Sequence, residues 1–217
     1  LDILKKEAKT MDKMSPMVWG DNSSKNVRHN DIEEQFSIQG VLPVYNQLFS
    51  LPMQYGRFIN NMDIDGYRKV CVIGYTVYEK MFPDGGNVVG EILYLSNIPY
   101  RIIGVGKKQK QGFGNSDDVV LLPITTLQRA YNRGQEIHQL VVSARPGVKA
   151  EEVETEVKTI LRRIHNIAPN DEKALWSWNM EQMFTGINYT ILGLTILLWL
   201  IGLGTLISGA VGVMNIM

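Results

Sequence analysis

The sequence predicts an α+β fold on an antiparallel or mixed sheet, followed by a C-terminal transmembrane helix. Three observations carry this. Short apolar runs bounded by turn residues, such as "RKVCVIG" and "DVVLLPI", read as buried strands. A strand–helix–strand pattern starts at Ile137. After Glu181 no charged residue occurs again up to Met217.

The elements follow in order. "LDILKKEAKTMDKM" places Leu1, Leu4, Ala8 and Met11 on one stripe, an amphipathic helix already under way at the first residue. With no initiator Met and no signal peptide, the sequence reads as a piece of a longer chain, cut at both ends. Ser15-Pro16 is expected to end that helix, because proline disfavours helical geometry in the residue before it. "MVWG" and "EQFSIQGV" read as strands around a polar loop, "DNSSKNVRHND", and "VYNQLFSL" as a helical turn. "RKVCVIG" is a buried strand, "YTVYEKMF" an amphipathic helix and "PDGG" a turn. "EILYL" and "YRIIGVG" flank "SNIP" as a β-hairpin; "DVVLLPI" and "TTLQRAY" are a strand and a helix.

"IHQLVVSA" is the next strand, and the helix after it runs from about Ala150 to His165. Val153, Val157, Ile160, Leu161 and Ile164 share one of its faces, and Glu154 and Lys158 form an i,i+4 pair on another. "KALWSWNM" is expected as a strand with Trp176 and Trp178 on one side. The sheet has no room for a long doubly wound arrangement.

The region 187–217 is uncharged, its polar side chains being Asn, Tyr, Thr and Ser. A bilayer core of about 30 Å needs about 20 apolar residues in a helix, so this segment is read as a membrane span. Gly204, Ser208 and Gly212 recur every four residues and are candidates for close packing against another membrane helix. The flank before it is poor in Lys and Arg, which fits the outer side of a membrane.

Composition excludes some functions. Lys+Arg and Asp+Glu are both 22, which argues against nucleic acid as a partner. One cysteine, Cys71 in an apolar run, excludes an internal disulfide framework and reads as a buried thiol. "NMDIDG" matches the first half of a calcium loop, but the twelfth position is Val72 in place of Glu, so a carboxylate-rich turn is expected. "GVGKKQ" carries two glycines of a dinucleotide fingerprint with Gln109 where the third belongs, and no P-loop motif occurs. His29, His138 and His165 lack metal-ligand spacing. The loop "KKQKQGFGNSDD" reads as a solvated hairpin loop. No catalytic, cofactor-binding or metal-binding residue is assigned, and the segment is not expected to be an enzyme.

Several stretches then fall in a recognisable order: "YGRFINNMDID" before "KVCVIG", "VVGEILYLSNIPYRIIGVG", "DDVVLLPITTLQ", "ILRRIHN" and "GAVGVMNIM". Together, from about Tyr55 to Met217, they resemble the extracytoplasmic domain and second span of MacB-type ABC transporter permeases, where the FtsX-like permease region begins. Ala210 departs from the family's usual glycine pair, a small-for-small change.

The resemblance implies a discontinuous porter-like subdomain (1–45 and 135–180), an inserted, mostly β, Sabre-like subdomain (46–134) and a membrane helix (187–217). It also implies a place in the cytoplasmic membrane, with residues 1 to about 185 extracytoplasmic. Cytoplasmic ATP hydrolysis would close a homodimer or paired permease and pass motion to the outer domains, driving export. ATP and Mg²⁺ would bind an ABC ATPase domain or subunit elsewhere; a periplasmic adaptor and outer-membrane channel are possible partners beside the lipid bilayer. Within this scheme Trp176, Trp178 and Met180 are candidates for coupling domain to span, the tryptophans either packing into the core or forming an interfacial belt. The alternatives are an FtsX-like scaffold regulating an envelope hydrolase and a lipoprotein-releasing or peptide-resistance permease.

Overall fold

The computed structural model describes residues 1–20, 26–109, 117–168, 171 and 173–214. It divides into two compact units, one of residues Met11–Arg145 and one of Leu1–Thr10 with Pro146–Met217.

The larger unit is a mixed sheet. Its strands are β1 (Met11–Trp19), β2 (Asn26–His29), β3 (Ile32–Gln35), β4 (Ser37–Val41), β5 (Met53–Gly56), β6 (Val70–Ile73), β7 (Ile92–Leu95), β8 (Ile98–Gly106), β9 (Val119–Pro123) and β10 (Gln139–Ala144). They are ordered β10-β1-β4-β9-β6-β8-β7-β2-β3, with β5 pairing β8 off this path. β4 runs parallel to β9 and β6 parallel to β8, while the other pairs are antiparallel. Helices α2 (Val44–Phe49), α3 (Asn61–Asp65), α4 (Tyr75–Met81) and α5 (Ile124–Ala130) complete the unit.

The continuous apolar runs of β6 and β9 have a direct cause: both faces are covered. Cys71 and Ile73, with Val120 and Leu122, enter one core cluster together with Val77 and Met81 of α4 and Leu127 of α5. Val72, Val119 and Leu121 enter a second cluster with Tyr45 of α2 and Ile59. Cys71 is completely buried, which pushes its thiol pKa up and keeps it protonated.

The β5–β8 contact depends on two glycines. Gly56 has φ +72, and a Cβ there would lie 2.2 Å from the Ile103 carbonyl oxygen; a Cβ on Gly104 would lie 2.3 Å from the Arg57 carbonyl oxygen. The chain can turn at Arg57 only because both side chains are missing.

After that turn the expected carboxylate-rich turn is the helix α3. Asn60 caps it, accepting a hydrogen bond from the Asp63 amide, while the Asp63 carboxylate accepts from the Asn60 amide. Buried Asp63 also accepts a two-pronged bond from Arg57 at 2.6 and 3.0 Å, with Arg68 3.6 Å away. Burial raises its pKa, but the Arg57 and Asn60 hydrogen bonds and the two guanidinium charges outweigh that and hold it below the usual value.

Three sequence expectations are corrected. The first helix, α1 (Asp2–Glu7), stops well before Pro16, and Met11–Trp19 is a strand. Buried Met11, Met14 and Met17 imitate a helical stripe, but β1 is covered on both sides and so shows no clean alternation. Pro16 is tolerated because β1 pairs β4 only at Val18 and Trp19, leaving no second ladder at the proline. "EQFSIQGV" breaks into β3 and β4 at Phe36. The polar loop before it contains β2, which forms a hairpin with β3; residues 21–25 of that loop lie outside the described residues, as do 110–116 of the loop following β8.

The smaller unit comprises α1, α6 (Ala150–Ile164) and α7 (Met180–Met214). Leu4 and Ala8 of the N-terminal segment and Val153, Val157 and Ile160 of α6 are buried, as the apolar stripe predicts, whereas Ile164 at the end is 37% exposed. Polar ties bind the same elements. Glu156 accepts from the Lys9 and Thr10 amides and the Thr10 hydroxyl, and Arg163 pairs with Glu7.

Candidate functional site at the junction of two helices

The residues singled out for coupling lie between α6 and α7, in the smaller unit. No strand forms there: Trp176–Asn179 belongs to neither a helix nor a sheet. The alternation that suggested a strand is nonetheless present. Ser177 and Asn179 turn toward α6, and Trp176 and Trp178 turn away, 82% and 62% exposed, with ring centroids 6.3 Å apart. Of the two placements expected for the tryptophans, packing into the core is not the one found. With Gln182 and Met183 they line an open groove instead, and Met180 is the first residue of α7, 38% exposed.

The ties between the helices are polar. Glu154 of α6 accepts from Lys158 Nζ at 2.7 Å and from the Ser177 hydroxyl, and Asn179 Nδ2 approaches its other oxygen at 3.4 Å. The other end of the same amide, Asn179 Oδ1, accepts from the Glu181 and Gln182 amides at 3.0 and 3.2 Å and so caps α7. In the opposite direction, Glu181 Oε2 of α7 accepts from the Ala150 amide at 2.8 Å, at the first turn of α6. Lys149, which precedes that turn, makes no side-chain cap. The α6 N-terminus therefore receives its anionic partner from α7. The hydrogen bonds from Lys158 and then Ser177 hold the Glu154 carboxyl below its ordinary pKa.

Sequence reading paired Glu154 with Lys158 correctly but missed that Glu154, Asn179 and Glu181 join two helices. Asn179 two residues before Glu181 is a legible cap signal. The reach of Glu181 back to Ala150, 31 residues away, is not.

Beyond the junction, α7 is 35 residues long. Within its stretch Met180–Val211 an 18-residue segment has mean hydropathy 2.2 and no buried residue, so by length and composition the helix could cross a membrane. Gly204 and Ser208 lie on its exposed surface, and a Cβ on Gly204 would meet nothing within 4 Å. Gly212 is within the helix but outside the residues whose surroundings are described, and residues 215–217 are outside the described structure. Among the described residues no group of three or more His, Cys, Asp or Glu is placed to hold a metal ion.

This architecture has known counterparts. The sequence profile of the family described as the MacB-like periplasmic core domain matches residues 1–160. The chain belongs to that family. Among its MacB relatives, the macrolide export ATP-binding/permease protein MacB of Escherichia coli K12 is 27% identical over 192 residues, covering 88% of this chain. The MacB protein of Shigella flexneri matches to the same extent. The chain spans 29% of the length of these relatives. The MacB-like fold is seen in two solved structures. The periplasmic region of MacB from Actinobacillus actinomycetemcomitans superposes with TM-score 0.68 at 16% identity, over 86% of this chain and 81% of that one. The extracellular domain of the noncanonic ABC-type transporter YknZ from Gram-positive bacteria superposes with TM-score 0.64 at 17% identity, over 76% and 82%.

Proposed function

We propose that this chain is the extracytoplasmic and membrane-entering part of an ABC transporter permease that turns cytoplasmic ATP hydrolysis into motion outside the membrane, driving export. The observation that carries the reading is the family match over residues 1–160 in a chain whose next long element is a 35-residue helix with no charged residue after Glu181. Residues 1 to about 185 lie on the outer side of the cytoplasmic membrane and α7 passes through it. The chain works as one of a pair, with an ABC ATPase domain or subunit that binds ATP and Mg²⁺ on the other side. It holds no cofactor and performs no catalysis itself. The distant pieces 1–45 and 135–180 act as the porter-like part and 46–134 as the Sabre-like insert. The pairing of β1 with β10 along Met11–Met17 joins the first two pieces, which favours this division.

The test uses the complete transporter with its ATPase in lipid nanodiscs. A nitroxide is placed at Met62→Cys, a 64% exposed position on α3, and the distance between the two copies is measured by pulsed electron resonance. Trapping the ATP-bound state is expected to shift that distance. An unchanged distribution with ATP hydrolysis intact would contradict the reading.

A further inference from the structure

We infer that Glu154, Asn179 and Glu181 form a two-way polar clasp that transmits displacement of α7 to α6, in place of the tryptophans. The inference rests on the proposed function for its purpose but on the junction's own geometry for its existence.

Three features set the clasp apart from ordinary capping. The first is reciprocity: a side chain on α7, Glu181, satisfies an amide of α6, and a side chain on α6, Glu154, holds the residue that caps α7. The second is that Asn179 is used at both ends, with Oδ1 on the α7 amides and Nδ2 toward Glu154. A tilt of α7 about its first turn is therefore passed to Glu154 through one side chain, that of Asn179. The third is that these ties are polar, and Trp176 and Trp178 beside them are largely exposed. Trp176 and Trp178 border the groove above the helix start.

These are positioning residues and carry no chemistry of their own. Lys158 from α6 faces Glu154 with a positive charge, Ser177 and Asn179 from the connection face it as neutral donors, and Glu181 is the anion contributed by the first turn of α7. The Glu154 carboxylate accepts at full strength only when ionised. Its side of the clasp therefore holds at neutral pH and opens in acid, as Glu154, held below its ordinary pKa by Lys158 and Ser177, takes up a proton.

The test is hydrogen exchange at single-amide resolution on the full chain in phosphatidylcholine nanodiscs. Glu181→Ala is expected to speed exchange at Ala150 on α6, and Glu154→Ala to speed exchange at Glu181 and Gln182 on α7. The effect at Ala150 is about 10-fold, the weight of one charge-assisted hydrogen bond, and that at Glu181 and Gln182, passed on through Asn179, is smaller. Amides of Val120–Leu122 stay unchanged, which reports that the sheet is intact. Should Glu154→Ala fold poorly, Glu154→Gln provides the second reading. It keeps an acceptor for Ser177 but loses the charge facing Lys158, so the acid-dependent opening seen in the parent disappears. Effects confined to the substituted helix, or a parent whose first α7 turn shows no acid-dependent opening after correction for intrinsic rates, would overturn the clasp. Protection of 191–210 is read in the same experiment. Its loss with the cross-helix effects intact would count against the membrane reading and leave the clasp standing.

Discussion

Asp63 shows how much one carboxylate can organise. It closes the cap of α3, fixes Arg57 in the turn made possible by Gly56 and Gly104, and has no exposed surface. Asp63→Ala removes both a cap and the partner of a charged pair, so a loss of about 3 kcal/mol is expected, measured as the shift in the denaturant midpoint. Gly56→Ala should also destabilise, because its backbone is left-handed and the new methyl would meet the Ile103 carbonyl. Gly86→Ala, also left-handed but facing open space, should cost only about 1 kcal/mol. Parallel unfolding curves that rank Gly86→Ala as the worse substitution would contradict this account of the turn.

The pH dependence follows from the same groups. Asp63, Glu154 and Glu156 all have lowered pKa values in the folded chain. For Glu156 the Thr10 hydroxyl is the leading cause, followed by the Lys9 and Thr10 amides. A carboxylate with a depressed folded pKa contributes fully above its unfolded value and loses that contribution as pH falls through the folded one. Stability should therefore be flat at neutral pH and fall below about pH 4. Thermal midpoints measured from pH 7 to pH 3 check this, and a rise in midpoint over that window would contradict it.

At the scale of elements, the sequence was most readable where pattern and environment agree. The runs that became β6 and β9, the β7–β8 hairpin with its Ser96-Asn97 turn, and the β10–α6 succession all follow from apolar runs bounded by turn residues. The errors have physical causes. The stripe of Leu1, Leu4, Ala8 and Met11 carried the expected helix on toward Pro16, although Met11 already belongs to β1, and a strand buried on both faces need not alternate. The residues before α7 do alternate, but their inward members bind a helix carboxylate where a neighbouring strand was expected. The candidate site was half legible: its place in the chain could be read, whereas the ties of Glu154, Asn179 and Glu181 could not, because they join residues up to 31 positions apart.

The α7 element carries its own prediction. Leu200 lies near the middle of the uncharged stretch and is 63% exposed, so Leu200→Arg places a charge where a bilayer centre would be. The cost is about 3 kcal/mol. Flotation with liposomes should show markedly reduced membrane integration, whereas Gln182→Arg, in the first turns of α7, should leave it unchanged.

For the whole molecule the decisive relation is one of lengths. A helix of 35 residues extends about 52 Å, against a hydrocarbon core of about 30 Å. About 20 residues suffice to cross, so on the proposed function the length left over is enough for the first turns of α7, including those held by Glu154 and Asn179, to stand clear of the hydrocarbon. A span that continues rigidly above the membrane and is clasped to α6 at its upper end can carry motion from one side of a bilayer to the other. On the proposed function, this length relation, more than any single side chain, would give α7 its mechanical use.

The most direct measurement of that claim is a cysteine scan along α7 of the membrane-reconstituted chain, with buried Cys71 replaced by Ser and a membrane-impermeant maleimide added from outside. The account predicts ready labelling at Gln182 and Thr185, followed by protection over a continuous stretch of about 20 residues through Leu200. Labelling that continues through Leu194, Leu198 and Leu203 would contradict it.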